Sequence, residues 1–154
     1  MLIAVIGVAS ATPEEEAAAE AVGRLIAADG HILLCGGRGG VMAAASRGAA
    51  QAGGIVVGIL PGSSPDEANP WVTVPIATGL GEARNAIIAR AAHTLIAIGT
   101  GWGTLSEIAL AVKMGKPVVA LGAAPFLRDF AVGAVVWASS PEEAVRLAVA
   151  RASV

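Results

Sequence analysis

The stretch His31-Ile32-Leu33-Leu34-Cys35-Gly36-Gly37-Arg38-Gly39-Gly40-Val41 decides the fold. Ile32 to Cys35 form an unbroken apolar run, as expected of a strand buried on both faces, and a segment with helical spacing begins at Val41. A strand that passes through a glycine turn into a helix is the repeating unit of a parallel α/β sheet. Glycines let successive backbone N–H groups converge on an anion, and a helix N-terminus adds positive potential, so the turn reads as a phosphate cradle. A single tight turn with positive φ would need fewer glycines than the four present.

Similar apolar runs recur outward from this point, at residues 2–8, 55–60, 94–98, 117–121 and 134–138, mostly separated by segments of helical spacing. A further short strand could form at 71–76, where Pro75 argues for an edge or an irregular strand. Alternating strands and helices predict right-handed crossovers and an α/β fold: one doubly wound Rossmann-like domain over residues 1–154, with a mostly parallel central sheet. Thr12-Pro13-Glu14-Glu15 and Ser140-Pro141-Glu142-Glu143 both have the pattern of a capping box with proline at the first helical position. Gly30, Gly53 and Gly115 are placed to close helices in the left-handed conformation. Val41, Ala45, Gly48, Ala49 and Ala52 form a small-residue helix face, which predicts close approach of that helix to the sheet.

The composition is consistent with this reading. Hydrophobic residues make up 55% of the 154, aromatics only 3%, and the mean hydropathy is +0.72. Small aliphatic side chains therefore supply the core. No apolar run approaches the roughly 20 residues of a membrane span, and the apolar start lacks the preceding basic residue of a signal peptide, so a cytoplasmic protein is expected. The net charge of −2 lacks the broad basic footprint of a nucleic-acid binder. Cys35 excludes an internal disulfide and reads as a buried thiol. His31 and His93 have no partner at metal-ligand spacing, so no metal is assigned.

Two more segments carry chemistry. Gly99-Thr100-Gly101-Trp102-Gly103-Thr104-Leu105-Ser106-Glu107 is another strand end running into a helix, with hydroxyls at Thr100 and Ser106. Thr104 and Glu107 also have capping-box spacing, in which case Glu107 serves only its own helix. In Gly79-Leu80-Gly81-Glu82-Ala83-Arg84-Asn85, Arg84 falls in a first helical turn, where a cation opposes the helix dipole and calls for an anion. Glu82, Glu107 or a ligand phosphate would answer it, and a guanidinium suits phosphate by forked donation. Neither the dinucleotide fingerprint nor a Walker A loop is present, and the first turn, Gly7-Val8-Ala9-Ser10, also departs from the fingerprint.

Taken in order, GG-x-GG-V-M, GILPG, an arginine at a helix start and G-x-G-T-x-x-E resemble the group once labelled lysine decarboxylases, over roughly residues 1–122. That group contains the LONELY GUY phosphoribohydrolases and the molybdenum-cofactor carrier proteins. Arg84 matches the family's functional arginine and Glu107 its glutamate, whereas Asn85 stands where lysine is expected and the leading Pro-Gly of PGGxGTxxE is replaced. These departures bring the chain closer to the small bacterial carrier-like proteins. The resemblance implies a small phosphorylated ligand, a nucleotide or phosphorylated pterin, with no required cofactor. Its contacts would be Gly7, Ser10, Gly36, Gly37, Arg38, Gly39, Gly40, Asn85, Gly101, Gly103 and Thr104, with Arg84 and Glu107 as the catalytic pair if the ligand is hydrolysed. It further implies a homodimer or larger homo-oligomer. Carrier-like binding and N-glycosidic hydrolysis of a nucleoside 5′-monophosphate both remain open on the residues, beside a purely structural module. No lysine lies in a segment suited to a pyridoxal Schiff base, which argues against decarboxylation.

Overall fold

A computed structural model describes residues 1–153. The chain alternates β1 (Leu2–Gly7), α1 (Pro13–Ala28), β2 (Ile32–Cys35), α2 (Val41–Gln51), β3 (Val56–Leu60), β4 (Val74–Ala77), α3 (Arg84–Ala91), β5 (Thr94–Ile98), α4 (Trp102–Lys113), β6 (Val118–Leu121), β7 (Val135–Ala138) and α5 (Pro141–Ala152). The seven strands form one sheet in the order β4-β3-β2-β1-β5-β6-β7, every pair parallel. The α/β doubly wound expectation is met. Pro75 lies in the edge strand β4, which occupies 74–77 rather than 71–76.

Alternation along the strands divides the core in two. Ile3, Val5, Leu33 and Cys35 face Val22 and Ile26 of α1, Ala45 of α2 and Val145 of α5. Ala4, Ile6, Leu34 and Leu95 face the opposite layer, with Ile88 of α3 and Ile108 of α4. Side chains at i and i+2 share a face of a strand, so helices must cover both sides of a sheet that is apolar on both. No described helix is long and apolar enough to cross a membrane.

Helix ends follow their local chemistry. Thr12 Oγ1 accepts the Glu15 amide at 3.1 Å, and Ser140 Oγ accepts that of Glu143 at 3.1 Å. Neither glutamate returns a bond to the cap residue itself: Glu143 accepts from the Ser139 amide and hydroxyl instead, at 2.7 and 2.6 Å. One Glu15 oxygen is buried without a donor beside Gly99. Gly30, Gly53 and Gly115 have φ of 74°, 77° and 72°, as a left-handed closure requires.

The small-residue face of α2 meets the sheet through Val41, Ala45 and Ala49, and its glycine serves a second contact that was not expected. A Cβ on Gly48 would collide with the Glu20 carbonyl oxygen of α1, and one on Gly23 of α1 with the Ala45 carbonyl oxygen of α2. The glycines therefore let α1 and α2 cross backbone to backbone, while Val41, Ala45 and Ala49 of the same helix pack onto the sheet.

Candidate functional site

Beyond β1 the chain crosses to β2 on one side, while β5, on the other side of β1, begins the second half of the sheet. The C-terminal ends of β1 and β5 thus flank the point where strand order reverses, the usual place for a ligand in an open parallel sheet. The two glycine turns leave β2 and β5, separated by β1 and its own turn at Val8 and Ala9.

A cavity of about 280 Å³ opens at this point, lined by Gly7, Val8, Ala9, Met42, Arg84, Asn85, Gly101, Trp102, Gly103, Thr104 and Glu107. A second chamber of about 320 Å³ adjoins it, sharing Arg84, Asn85, Trp102 and Gly103 and adding Pro61, Glu82 and Ser106. Arg84, Glu107, Gly7, Asn85, Gly101, Gly103 and Thr104 are thereby brought together. Ser10, Gly36, Gly37, Arg38, Gly39 and Gly40 are not among the lining residues of either chamber. Arg38 turns outward to Glu67 at 3.5 Å. The 36–40 turn packs against the β1 turn: Val41 donates its amide to Val8 O at 3.0 Å, and a Cβ on Gly40 would strike the Val8 and Ala9 carbonyls. Asn69 clamps the outer side, its amide on Gly37 O at 2.8 Å and its Nδ2 on Arg38 O at 3.0 Å.

Donors remain for an anion. Among the described residues, the amides of Arg38, Gly39 and Gly40 make no hydrogen bond to protein, nor do those of residues 100–104. Trp102, Gly103 and Thr104 are the first three residues of α4, whose N–H groups have no acceptor within the helix and point out of its positive end. These amides lie at the cavity wall, whereas the Gly37 amide is taken by Cys35 Sγ at 3.3 Å. Cys35 is buried, and that burial raises its thiol pKa.

Arg84 enters from the first residue of α3. Its Nη1 donates at 2.7 Å to both Gly36 O and Ile59 O, at the carboxyl ends of β2 and β3. Backbone carbonyls, rather than a carboxylate, thus answer its misplacement in the helix dipole. Nη2 is unbonded and reaches solvent, while Nε is buried without a partner. Burial lowers the guanidinium pKa, and Glu107 opposes the shift.

Glu107 is 7% exposed and accepts no hydrogen bond from the described residues. The capping-box alternative fails because α4 begins at Trp102, with Gly101 as its cap, so Thr104 is already inside the helix. Burial pushes the Glu107 carboxyl up to about 7, with Arg84 pulling the other way. Near neutrality it can accept or donate a proton at the cavity wall. The hydroxyls have local duties: Thr100 Oγ1 accepts the Ala124 amide at 2.8 Å, and Ser106 Oγ donates to Gly103 O at 2.7 Å while accepting Asn85 Nδ2 at 2.9 Å.

Sequence reasoning named Trp102 only as a position in a motif; in the β1 turn it took Gly7 and Ser10 as contacts but not Val8 or Ala9, and it assigned no contact to Met42. A large aromatic between two glycines was the available signal for Trp102. Nothing local marks Val8, Ala9 or Met42, which reach the cavity only because β1 lies between the two turns.

Comparison with known proteins gives a consistent picture. An uncharacterised protein of Archaeoglobus fulgidus is 43% identical over 149 residues, 97% of this chain and 95% of its own. The molybdenum cofactor binding protein from the phototrophic bacterium Rippkaea orientalis has a TM-score of 0.92 at 41% identity, covering 97% of this chain and 96% of that one. The molybdenum cofactor carrier protein from Chlamydomonas reinhardtii has a TM-score of 0.91 at 40% identity, covering 99% and 97%. The model of the SLOG cluster4 family matches residues 1–146, and with a match across nearly the whole chain this protein belongs to that family.

Proposed function

We propose that this protein is a carrier-type binding protein for a phosphorylated pterin, with the molybdenum cofactor as cargo rather than as a resident catalytic group. One domain would do this alone, in the cytoplasm and as a homo-oligomer. The observation that carries the reading is the cavity at the sheet's reversal point, which Arg84 and the first residues of α4, with their unpaired amides, line together. The chain is also 40–41% identical, over nearly its full length, to two molybdenum-cofactor-binding proteins. The residues fit the cargo. The 101–104 amides and Arg84 suit a phosphate. The Glu107 carboxyl suits the amino and N–H edge of a pterin, and Asn85, whose Nδ2 donates to Ser106 Oγ, lines the same cavity and would add a polar contact. Gly7 lets Val41 of α2 and the Ile98 carbonyl of β5 pack against the end of β1, since a Cβ there would collide with both.

Purification from a host that makes the molybdenum cofactor tests this directly. Molybdenum and an oxidisable, fluorescent pterin should be retained at near one per chain, and Arg84→Ala should lose both. Retention of neither by the wild-type protein would overturn the proposal.

A second reading, phosphoribohydrolysis, is favoured by one observation, the buried and unpaired Glu107. Its carboxylate would take a proton from water as that water attacks C1′ of a nucleoside monophosphate; the N-glycosidic bond breaks with its electron pair going to the base nitrogen, and the proton passes on to that base, giving free base and ribose 5-phosphate. Release of free base from AMP, abolished by Glu107→Gln, would select it.

A further inference from the structure

Trp102 is 89% exposed and lies at the first position of α4. Burying such a ring is worth several kcal/mol, so a sequence that leaves one in water calls for something to cover it. The other two tryptophans are better accommodated. Trp137 Nε1 donates to Ala123 O at 3.2 Å and Arg128 lies over its ring at 5.2 Å, while Trp71 is half-buried. The indole N–H of Trp102 has no protein acceptor among the described residues.

Its position is as telling as its exposure. Trp102 borders both chambers, and the other exposed large apolar residues border neither. Its neighbours Gly101 and Gly103 carry no side chain to hold it, and a Cβ at Gly103 would meet open space. The ring therefore stands free at the rim of a cavity whose deeper walls are amides, Arg84 and Glu107. Those groups recognise an anion and a hydrogen-bonding edge, but none offers an aromatic face, and the Arg84 guanidinium is held by Gly36 O and Ile59 O.

We infer that Trp102 is the ring-selecting residue of this site, a stacking platform that favours phosphorylated planar heteroaromatics over phosphorylated sugars without a ring base. Inference and proposed function share one premise, that the cavity binds a phosphorylated ligand. Aromatic platforms act in this way because every heteroaromatic ring has a π face, whatever its edge carries.

The test compares neopterin monophosphate and AMP with ribose 5-phosphate, by titration calorimetry on the wild type, Trp102→Ala and Trp102→Phe. Stacking predicts that Trp102→Ala weakens the two ring-bearing ligands about 5- to 100-fold. Ribose 5-phosphate should be unaffected, and Trp102→Phe should restore most of the loss. A protein with Trp102 as its single tryptophan, made by Trp71→Phe and Trp137→Phe, should show fluorescence quenching by the ring-bearing ligands alone. Equal weakening of all three ligands, or of none, overturns the inference and leaves the binding reading standing. So does unchanged binding with a halved solution mass of Trp102→Ala, which would assign the indole to a contact between copies. If the wild type binds none of the three, the inference falls; pterin retention on purification then decides the binding reading separately.

Discussion

Arg84, at the start of α3, and Glu107, in the second turn of α4, face one cavity without forming a direct ion pair. Arg84 spends one nitrogen on backbone carbonyls, and Glu107 is left buried with only long-range relief from the guanidinium. Each residue therefore contributes differently to stability and to binding.

Glu107 should make stability depend on pH. Its folded-state pKa, about 7, lies above the usual carboxyl value of 4.5. A raised carboxyl pKa favours the native state fully only below the unfolded value, and the benefit disappears as pH rises through the folded one. Glu107→Gln should therefore gain stability relative to wild type between pH 4.5 and 7 and hold the gain above, by roughly 2–4 kcal/mol at pH 8. Urea unfolding of both proteins at pH 5 and pH 8 measures it. A difference that does not grow with pH contradicts the assignment.

Removing the guanidinium should cost stability even without ligand. Arg84→Ala leaves Gly36 O and Ile59 O without their donor at the ends of two core strands. A loss of about 1–3 kcal/mol is expected, limited by water entering the cavity. Arg84→Lys should recover only part, because an ammonium on a flexible stem lacks the planar fork. Thermal melts of the three proteins without ligand, in one buffer, make the comparison, and equal midpoints would show the anchoring to be energetically idle.

Two glycine-to-alanine changes in helices should have opposite outcomes. At Gly48 a methyl group meets the Glu20 carbonyl of the crossing helix, so the gain in helix propensity of about 1 kcal/mol should be outweighed by overpacking of about 1–3 kcal/mol. At Gly103 the same methyl meets open space, and stability should stay level or rise by up to about 1 kcal/mol. Denaturant midpoints distinguish the two.

Much of the fold was legible because the deciding signals are local. The six principal apolar runs became strands within a residue or two of their expected limits, and the edge position of Pro75 followed from its missing N–H. Thr12 and Ser140 capped the helices they were expected to cap. The site was legible only as a set of residues. Glu107 matched a capping-box spacing as well as it matched a functional signature, and those readings separate only once α4 is seen to begin two residues before Thr104. The partner of Gly48 lies 28 residues away on α1, beyond the reach of any periodicity.

The amino-acid sequence by itself determined the alternation of strands and helices, the glycine conformations that close the helices, and the presence of an arginine and a glutamate in glycine-bearing segments. These depend on backbone sterics and on spacings of a few residues. Only the tertiary structure decided that the β5 turn rather than the β2 turn lines the cavity, that Arg84 is anchored on carbonyls, and that Trp102 stands bare beside both chambers. Such outcomes depend on which strand tips meet at the sheet's reversal point, and that follows from packing between residues far apart in the chain.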